Sequence, residues 1–262
     1  MCLILLAWRS HPDYPLVVAA NRDETFARPT APARFWEQAP GILAGRDLSA
    51  GGTWMGVTRR GRFAALTNYR EPRQHPADAP NLPSRGGLVS DFLAGSMKAE
   101  DYLAALLPVS KAYNGFNLVC GTIDQGLWHF SNRGAQARRL EPGIYGLSNH
   151  LLDTPWPKVA QGKSELARAL KALPADAPLF DLLRDERIHE DDKLPRTGVS
   201  LEWERTLSAA FVRAPNYGTR SSTVLLQDRE GLISFDELSY LPGAATSGRN
   251  RFRFSLEQDS SS

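Results

Sequence analysis

The chain has 262 residues, 42% hydrophobic and 23% charged, which is enough for one large domain or two small ones around an ordinary core. Its 31 basic and 29 acidic residues nearly cancel, to a net charge of +2, and are scattered, which argues against a nucleic-acid or membrane surface built on bulk charge. Cys2 and Cys120, far apart and without a CxxC spacing, argue against a disulfide scaffold and a structural zinc site.

No apolar run is long enough for a transmembrane helix, so no integral membrane association is expected. The apolar N-terminus lacks a basic region before it and stops at Arg9, which disfavours a signal peptide and leaves the cytoplasm as the expected compartment.

Residues Cys2 to Arg9 and Leu16 to Ala20, joined by the turn His11-Pro12-Asp13-Tyr14-Pro15, read as a β-hairpin that runs into Asn21-Arg22-Asp23-Glu24. A proline-rich connection, Arg28 to Pro32, follows, then strand character at Ile42 to Gly45, Thr53 to Thr58 and Arg62 to Asn68. Tyr69 to Pro83 holds four prolines and reads as a surface loop. Ser84 is a candidate N-cap for a helix through Leu93 that Gly95 ends, and Asp101 to Leu107 predicts a second helix stopped by Pro108.

Strands return at Phe116 to Thr122, Leu127 to Phe130, Ala137 to Leu140 and Gly143 to Leu147. Pro157 opens a helix to about Leu173, with Val159, Leu166, Ala169 and Leu170 on one face, and Leu179 to Leu183 adds a helical piece. Arg184 to Arg196 reads as an exposed charged loop, and Leu201 to Phe211 fits helix or strand. Ser221 to Asp228 and Leu232 to Tyr240 form a hairpin, Arg251 to Leu256 an edge strand, and Glu257 to Ser262 a disordered tail. Strands, then helices, then strands predict one α+β domain over residues 1–256.

Cys2 lies directly behind Met1 and is small enough for Met1 to be removed. The mature chain would then carry a thiol and a free α-amine on one residue, a nucleophile beside its own general base. The hairpin returns residues 21 to 23 beside residue 2, where a carboxylate can orient the amine and an arginine favour thiolate. Asn68, Asn149 and Arg220 each sit at the end of an apolar strand, and asparagine amides are donors of the kind an oxyanion hole uses.

Cys2, the segment Ala20 to Pro29 containing Asn21-Arg22-Asp23-Glu24, and Gly51-Gly52-Thr53-Trp54-Met55-Gly56 together resemble the NRDE family, also called the transport-and-Golgi-organisation family. Gly143 to Asn149 and Tyr217 to Ser222 fit it too, and the resemblance spans roughly residues 1 to 240. It implies the four-layer αββα sandwich of N-terminal-nucleophile hydrolases. A further similarity, to the penicillin V acylase and bile-salt hydrolase branch of that fold, implies catalytic roles for Cys2, Asp23, Asn68, Asn149 and Arg220. Asn21, Arg22 and Trp54 become candidate substrate contacts. That branch's Arg-x-x-Asp arginine falls at Ala20, and strand alternation leaves open whether nearby Arg22 faces the same way.

Two functions follow as expectations. One is a Cys2-dependent hydrolase of a linear amide in a small amphipathic or acyl-type molecule, requiring no cofactor. The other is a non-catalytic carrier in haem or acyl-lipid trafficking, with haem as cargo. For haem the five histidines, His11, His75, His129, His150 and His189, are scattered, and no CxxCH signature occurs.

Overall fold

The computed structural model describes residues 2–71 and 82–257. Most of the Tyr69–Pro83 loop expectation, and the tail after Glu257, therefore lie outside the described residues. The chain opens with β1 (Cys2–Trp8) and β2 (Leu16–Thr25), then runs through β3 (Thr30–Trp36), β4 (Ala39–Asp47), β5 (Met55–Thr58) and β6 (Phe63–Asn68). Helices α1 (Gly86–Ala94) and α2 (Ala99–Leu106) precede β7 (Phe116–Thr122), β8 (Gly126–Ser131) and β9 (Arg138–Arg139). After β10 (Gly143–Leu147) come α3 (Pro157–Ala169), α4 (Ala177–Leu183) and α5 (Leu201–Thr206), then β11 (Tyr217–Gln227), β12 (Leu232–Tyr240) and β13 (Thr246–Ser255).

Two antiparallel sheets result. The first has six strands in the order β10-β1-β2-β11-β12-β13, and the second has seven in chain order, β3 to β9. The period-two alternation of β1 explains the layering. Ile4, Leu6 and Trp8 enter the core between the sheets with Val18, Phe63 and Phe235. Leu3, Leu5 and Ala7 face outward against Leu166 of α3 and Leu179 of α4. On the other outer side, Ala64, Leu66 and Phe116 pack on Phe92 and Leu93 of α1 and Leu103 of α2. Three apolar layers between four structural layers make the αββα sandwich. A strand buried on both faces needs an unbroken apolar run, which is why Cys2 to Trp8 carries no polar residue. Each large apolar side chain buried there contributes about 1.5–3 kcal/mol before the entropy cost of ordering it.

Several elements differ from the sequence expectation. Arg28 to Pro32 leads into strand β3, because β3 is an edge strand, where a proline costs no ladder bond; the register also slips between Ala31 and Arg34. Strand β2 runs on through the charged tetrad to Thr25, since β11 begins at Tyr217 and pairs along it as far as Thr25. Ser84 stands one residue before the helix cap, at Arg85, and its hydroxyl accepts the Gly86 N–H at 3.3 Å. Leu201 to Phe211 resolves into the short α5, capped by the Ser200 hydroxyl accepting from the Trp203 N–H, followed by a buried irregular stretch. Pro108 lies inside a 3₁₀ turn, Leu107–Ala112, that continues α2.

The glycines of the Gly51-Gly52 motif have a packing reason. A Cβ on Gly52 would lie 2.4 Å from the Gly86 carbonyl carbon, a backbone atom that cannot swing aside. The Thr53 N–H donates to the Gly86 carbonyl at 3.3 Å across this approach. The start of α1, with Arg85 on it, is thereby seated directly on the Thr53–Trp54 segment. Gly52→Ala should destabilise the protein by about 1–3 kcal/mol, read from the urea midpoint. Gly41→Ala, where a Cβ meets nothing within 4 Å, should change it by less than about 0.5 kcal/mol. Equal midpoints for the two variants would contradict the close-approach account.

Candidate functional site

The register of the opening hairpin sets Cys2 directly opposite Arg22. Alternation then divides the tetrad. Asn21 and Asp23 project to the helix side of the sheet, and Arg22 and Glu24 to the side facing the second sheet. Ala20 and Arg22 are two residues apart and share a face. Arg22 therefore points the same way as the position where the acylase pattern carries its arginine, and Ala20 itself is in the inter-sheet core.

Cys2 is 8% exposed and opens on a cavity of about 750 Å³ between the sheets. Arg22, Arg85, Asn68, Trp54, Arg220 and Glu237 are among its lining residues. Burial pushes the Cys2 thiol above its ordinary value, nearby Asp23 adds to that, and the Arg22 guanidinium pulls it back. The Ser148 hydroxyl donates to the Cys2 carbonyl at 3.1 Å and so ties β1 to the residue before Asn149.

Asn149 is fully buried, and one N–H of its Nδ2 amide donates to the Asn68 carbonyl at 2.9 Å. Its own carbonyl accepts the Arg70 N–H at 2.7 Å. This pair of bonds joins the end of β6 in one sheet to the end of β10 in the other, beside Cys2. The amide of Asn149 keeps a second N–H, and the side chain of Asn68 lines the cavity. Arg70 is held in turn by Glu204, whose Oε2 accepts from its Nη1 at 2.9 Å, both side chains being less than a tenth exposed.

Asp23 is 1% exposed and its Oδ1 accepts the Thr219 hydroxyl at 2.7 Å. Burial raises its carboxyl, and the charge of Lys158 opposes that rise. Lys158, in the first turn of α3, is itself buried, and its amine is pushed down by burial to about 8 while Asp23 supports its charge. Asn21 does not reach the cavity. Its Nδ2 donates to the Leu183 and Ala210 carbonyls, both at 2.8 Å, and its Oδ1 accepts the Ser222 hydroxyl at 2.6 Å. It pins the helix layer to the sheet and is not among the residues that line the cavity.

Arg220 occupies a bulge, since the register passes from Thr219–Asp23 to Ser221–Arg22 and skips it. Its guanidinium donates to the carbonyls of Thr25, Phe26 and Arg28 and to the Thr30 hydroxyl. It clamps the turn between β2 and β3 into the cavity rim.

A family model described as Transport and Golgi organisation 2 matches residues 1–242. The Transport and Golgi organization 2 homolog of Mus musculus is 36% identical over 280 residues, covering 98% of this chain and 100% of that protein. The Bos taurus homolog is 39% identical over 264 residues, covering 92% and 94%. The chain belongs to this family. Among solved structures, a mutant of conjugated bile acid hydrolase from Clostridium perfringens superposes with a TM-score of 0.50 at 10% identity, covering 96% of this chain and 92% of that one. A Caenorhabditis elegans ortholog of N-acylethanolamine-hydrolyzing acid amidase gives 0.51 at 10% identity, covering 86% and 92%. At that identity the likeness is one of fold, and it agrees with the four layers described above.

Within this family member the cavity gathers Cys2, Arg22, Asp23, Asn68, Trp54 and Arg220, while Asn149, wholly buried, is not among its lining residues. Sequence reasoning missed Arg85, Lys158 and Glu237. Arg85 follows the Ser84 cap signal; its Nη1 donates to the Gly115 carbonyl at 3.0 Å, and it lines the cavity together with Cys2 and Glu24. Lys158 follows the Pro157 that marks the start of α3, but nothing in the sequence says that it points inward. Glu237 is a charged residue at an inward position of a strand, and that parity was the available signal.

Glu237 is 3% exposed, and burial pushes its carboxyl from 4.5 up to about 7. The folded state therefore holds this proton more tightly than the unfolded chain. Its contribution is fully present below pH 4.5 and is lost as pH rises to about 7, on the order of 3 kcal/mol in all. Glu237→Gln removes that dependence, so the variant's stability relative to the native protein should rise between pH 4.5 and 7.5. Urea titrations of both proteins across this range check it, and a constant difference between them would refute the assignment.

Proposed function

We propose that this protein is a Cys2-dependent hydrolase of a linear amide in an acyl-type small molecule. The observation that carries the reading is the placement of Cys2 at the end of an interior strand, opening on the cavity between the sheets with Arg22 against it in register. The two structural neighbours carry hydrolase and amidase names on the same fold.

With Met1 removed, the α-amine of Cys2 takes the thiol proton as Sγ attacks the amide carbonyl. Asp23, buried beside residue 2, holds that amine in orientation. The oxyanion of the tetrahedral intermediate is met by amide donors from Asn68 and Asn149. Collapse breaks the C–N bond, the α-ammonium gives its proton to the departing nitrogen, and the acyl group stays on Sγ as a thioester. Water then attacks the thioester, the amine accepts its proton, and release of the acid restores the thiol. Arg22 and Arg85 supply positive charge at the cavity end where the thiolate forms. The carrier reading, with haem as cargo, has less behind it: among the described residues no histidine lines the cavity.

Cys2→Ala and Cys2→Ser should each lower kcat/KM on an N-acyl amide by at least about a thousandfold, with circular dichroism and urea midpoint retained. Intact mass of the active protein should show Met1 removed. Full activity from protein that keeps Met1, or from Cys2→Ala, would overturn the proposal.

A further inference from the structure

The wall of the cavity is a ruler laid across the first sheet. Cys2 pairs with Arg22, Arg22 with Ser221, Ser221 with Ser239, and Ser239 with Gly248, so one row crosses β1, β2, β11, β12 and β13. All five of these residues line the cavity. The next row inward ends in Glu237 and Asn250, which face each other in register and also line it. From Cys2 to β12 is three strand spacings, about 14 Å.

The two ends differ in chemistry. Near Cys2 stand Arg22 and Arg85, with Glu24 4.0 Å from the Arg22 guanidinium, while Arg220 holds the rim. At the far end the acid is Glu237, nine-tenths and more buried, with Oε1 fixed by the Ala33 N–H at 2.7 Å and the carboxyl set beside the Ser221 and Thr223 hydroxyls. That bond reaches from the first sheet to β3 of the second, so the carboxyl cannot swing out of the wall.

We propose that Glu237, with Asn250, is a distal subsite that receives a hydrogen-bond-donating end group, a hydroxyl or an ammonium, on a substrate whose scissile carbonyl lies at Cys2. The substrate class is then an elongated acyl amide with a donor at its far end. This deepens the hydrolase reading and rests on it for the position of the carbonyl.

The probes are p-nitroanilides of dodecanoic, 12-hydroxydodecanoic, 12-aminododecanoic and dodecanedioic acids, since about a dozen bonds at roughly 1.2 Å each span the 14 Å. At pH 8, above the value of about 7 to which burial raises the Glu237 carboxyl, the hydroxyl and amino probes should exceed the carboxylate probe in kcat/KM by roughly 10- to 100-fold. Glu237→Gln keeps an acceptor for the Ala33 N–H and should shrink that ratio to within about threefold. Asn250→Lys, on a partly exposed strand, should invert it in favour of the carboxylate. Calorimetric binding of the matching N-methyl amides to Cys2→Ala separates the two proposals. End-group ranking in binding without turnover of any probe would leave the subsite standing and remove the hydrolase. Turnover without ranking, a ranking that survives Glu237→Gln in folded protein, or neither turnover nor binding, would overturn the subsite.

Discussion

Antiparallel pairing of β1 with β2, in the register that sets Cys2 against Arg22, governs most of what this molecule presents to a ligand. Because side chains alternate with a period of two, that one register sends Arg22 and Glu24 into the cavity and Asn21 and Asp23 under the helices. A slip by one residue would exchange the two sets and put Ile4 and Leu6 on the wrong face of the sheet. The apolar burial of both faces of β1 therefore fixes the chemistry as well as the fold. The row that begins with Cys2 and Arg22 continues in register through three more strands, so the same constraint also sets the length of the cavity.

Burial of β1 alone does not shape the mouth of that cavity. Three cross-layer contacts do. The Asn149 amide and the Arg70 N–H tie the ends of β6 and β10 together beside Cys2. The Glu237 carboxylate reaches from β12 to the backbone of β3. The close approach of Gly52 to Gly86 seats α1, and with it Arg85, on the opposite wall. Each bond is polar or backbone-to-backbone and partly shielded from water, where a lost partner costs more than it does at the surface. Asn21, Arg220 and Lys158 act one step further out. They pin the helix layer, hold the rim and balance the charge of Asp23.

The strands of this fold were legible because their apolar periodicity is strong: β1, β2, β6, β7 and β12 stand where their runs of apolar residues put them. Strand β3 was not, because an edge strand tolerates Pro32, and Arg28 to Pro32 reads as a connection. The tetrad has no apolar pattern of its own; its strand character comes from pairing with β11, about two hundred residues away, which local pattern does not carry. Motif matching singles out Cys2, Asp23, Asn68, Asn149 and Arg220; in the structure Cys2, Asp23, Asn68 and Arg220 line one cavity, and Arg220 makes a clamp's bonds. Asn21 belongs to the same motif but bonds on the helix side, since membership in a motif does not say which face a side chain takes. Lys158 and Glu237 escaped because a buried charge looks in sequence like any exposed one.

The account depends on a covalent step at one sulfur. Rapid quenching of the processed protein with an N-acyl anilide, followed by intact and peptide mass spectrometry, tests it most directly. The account predicts an acyl thioester, lost with hydroxylamine, on the N-terminal peptide at Cys2 and none at Cys120, whose thiol is wholly buried in the second sheet's outer core and raised by that burial. Turnover that proceeds with no adduct at Cys2, or with the acyl group on another residue, would contradict it.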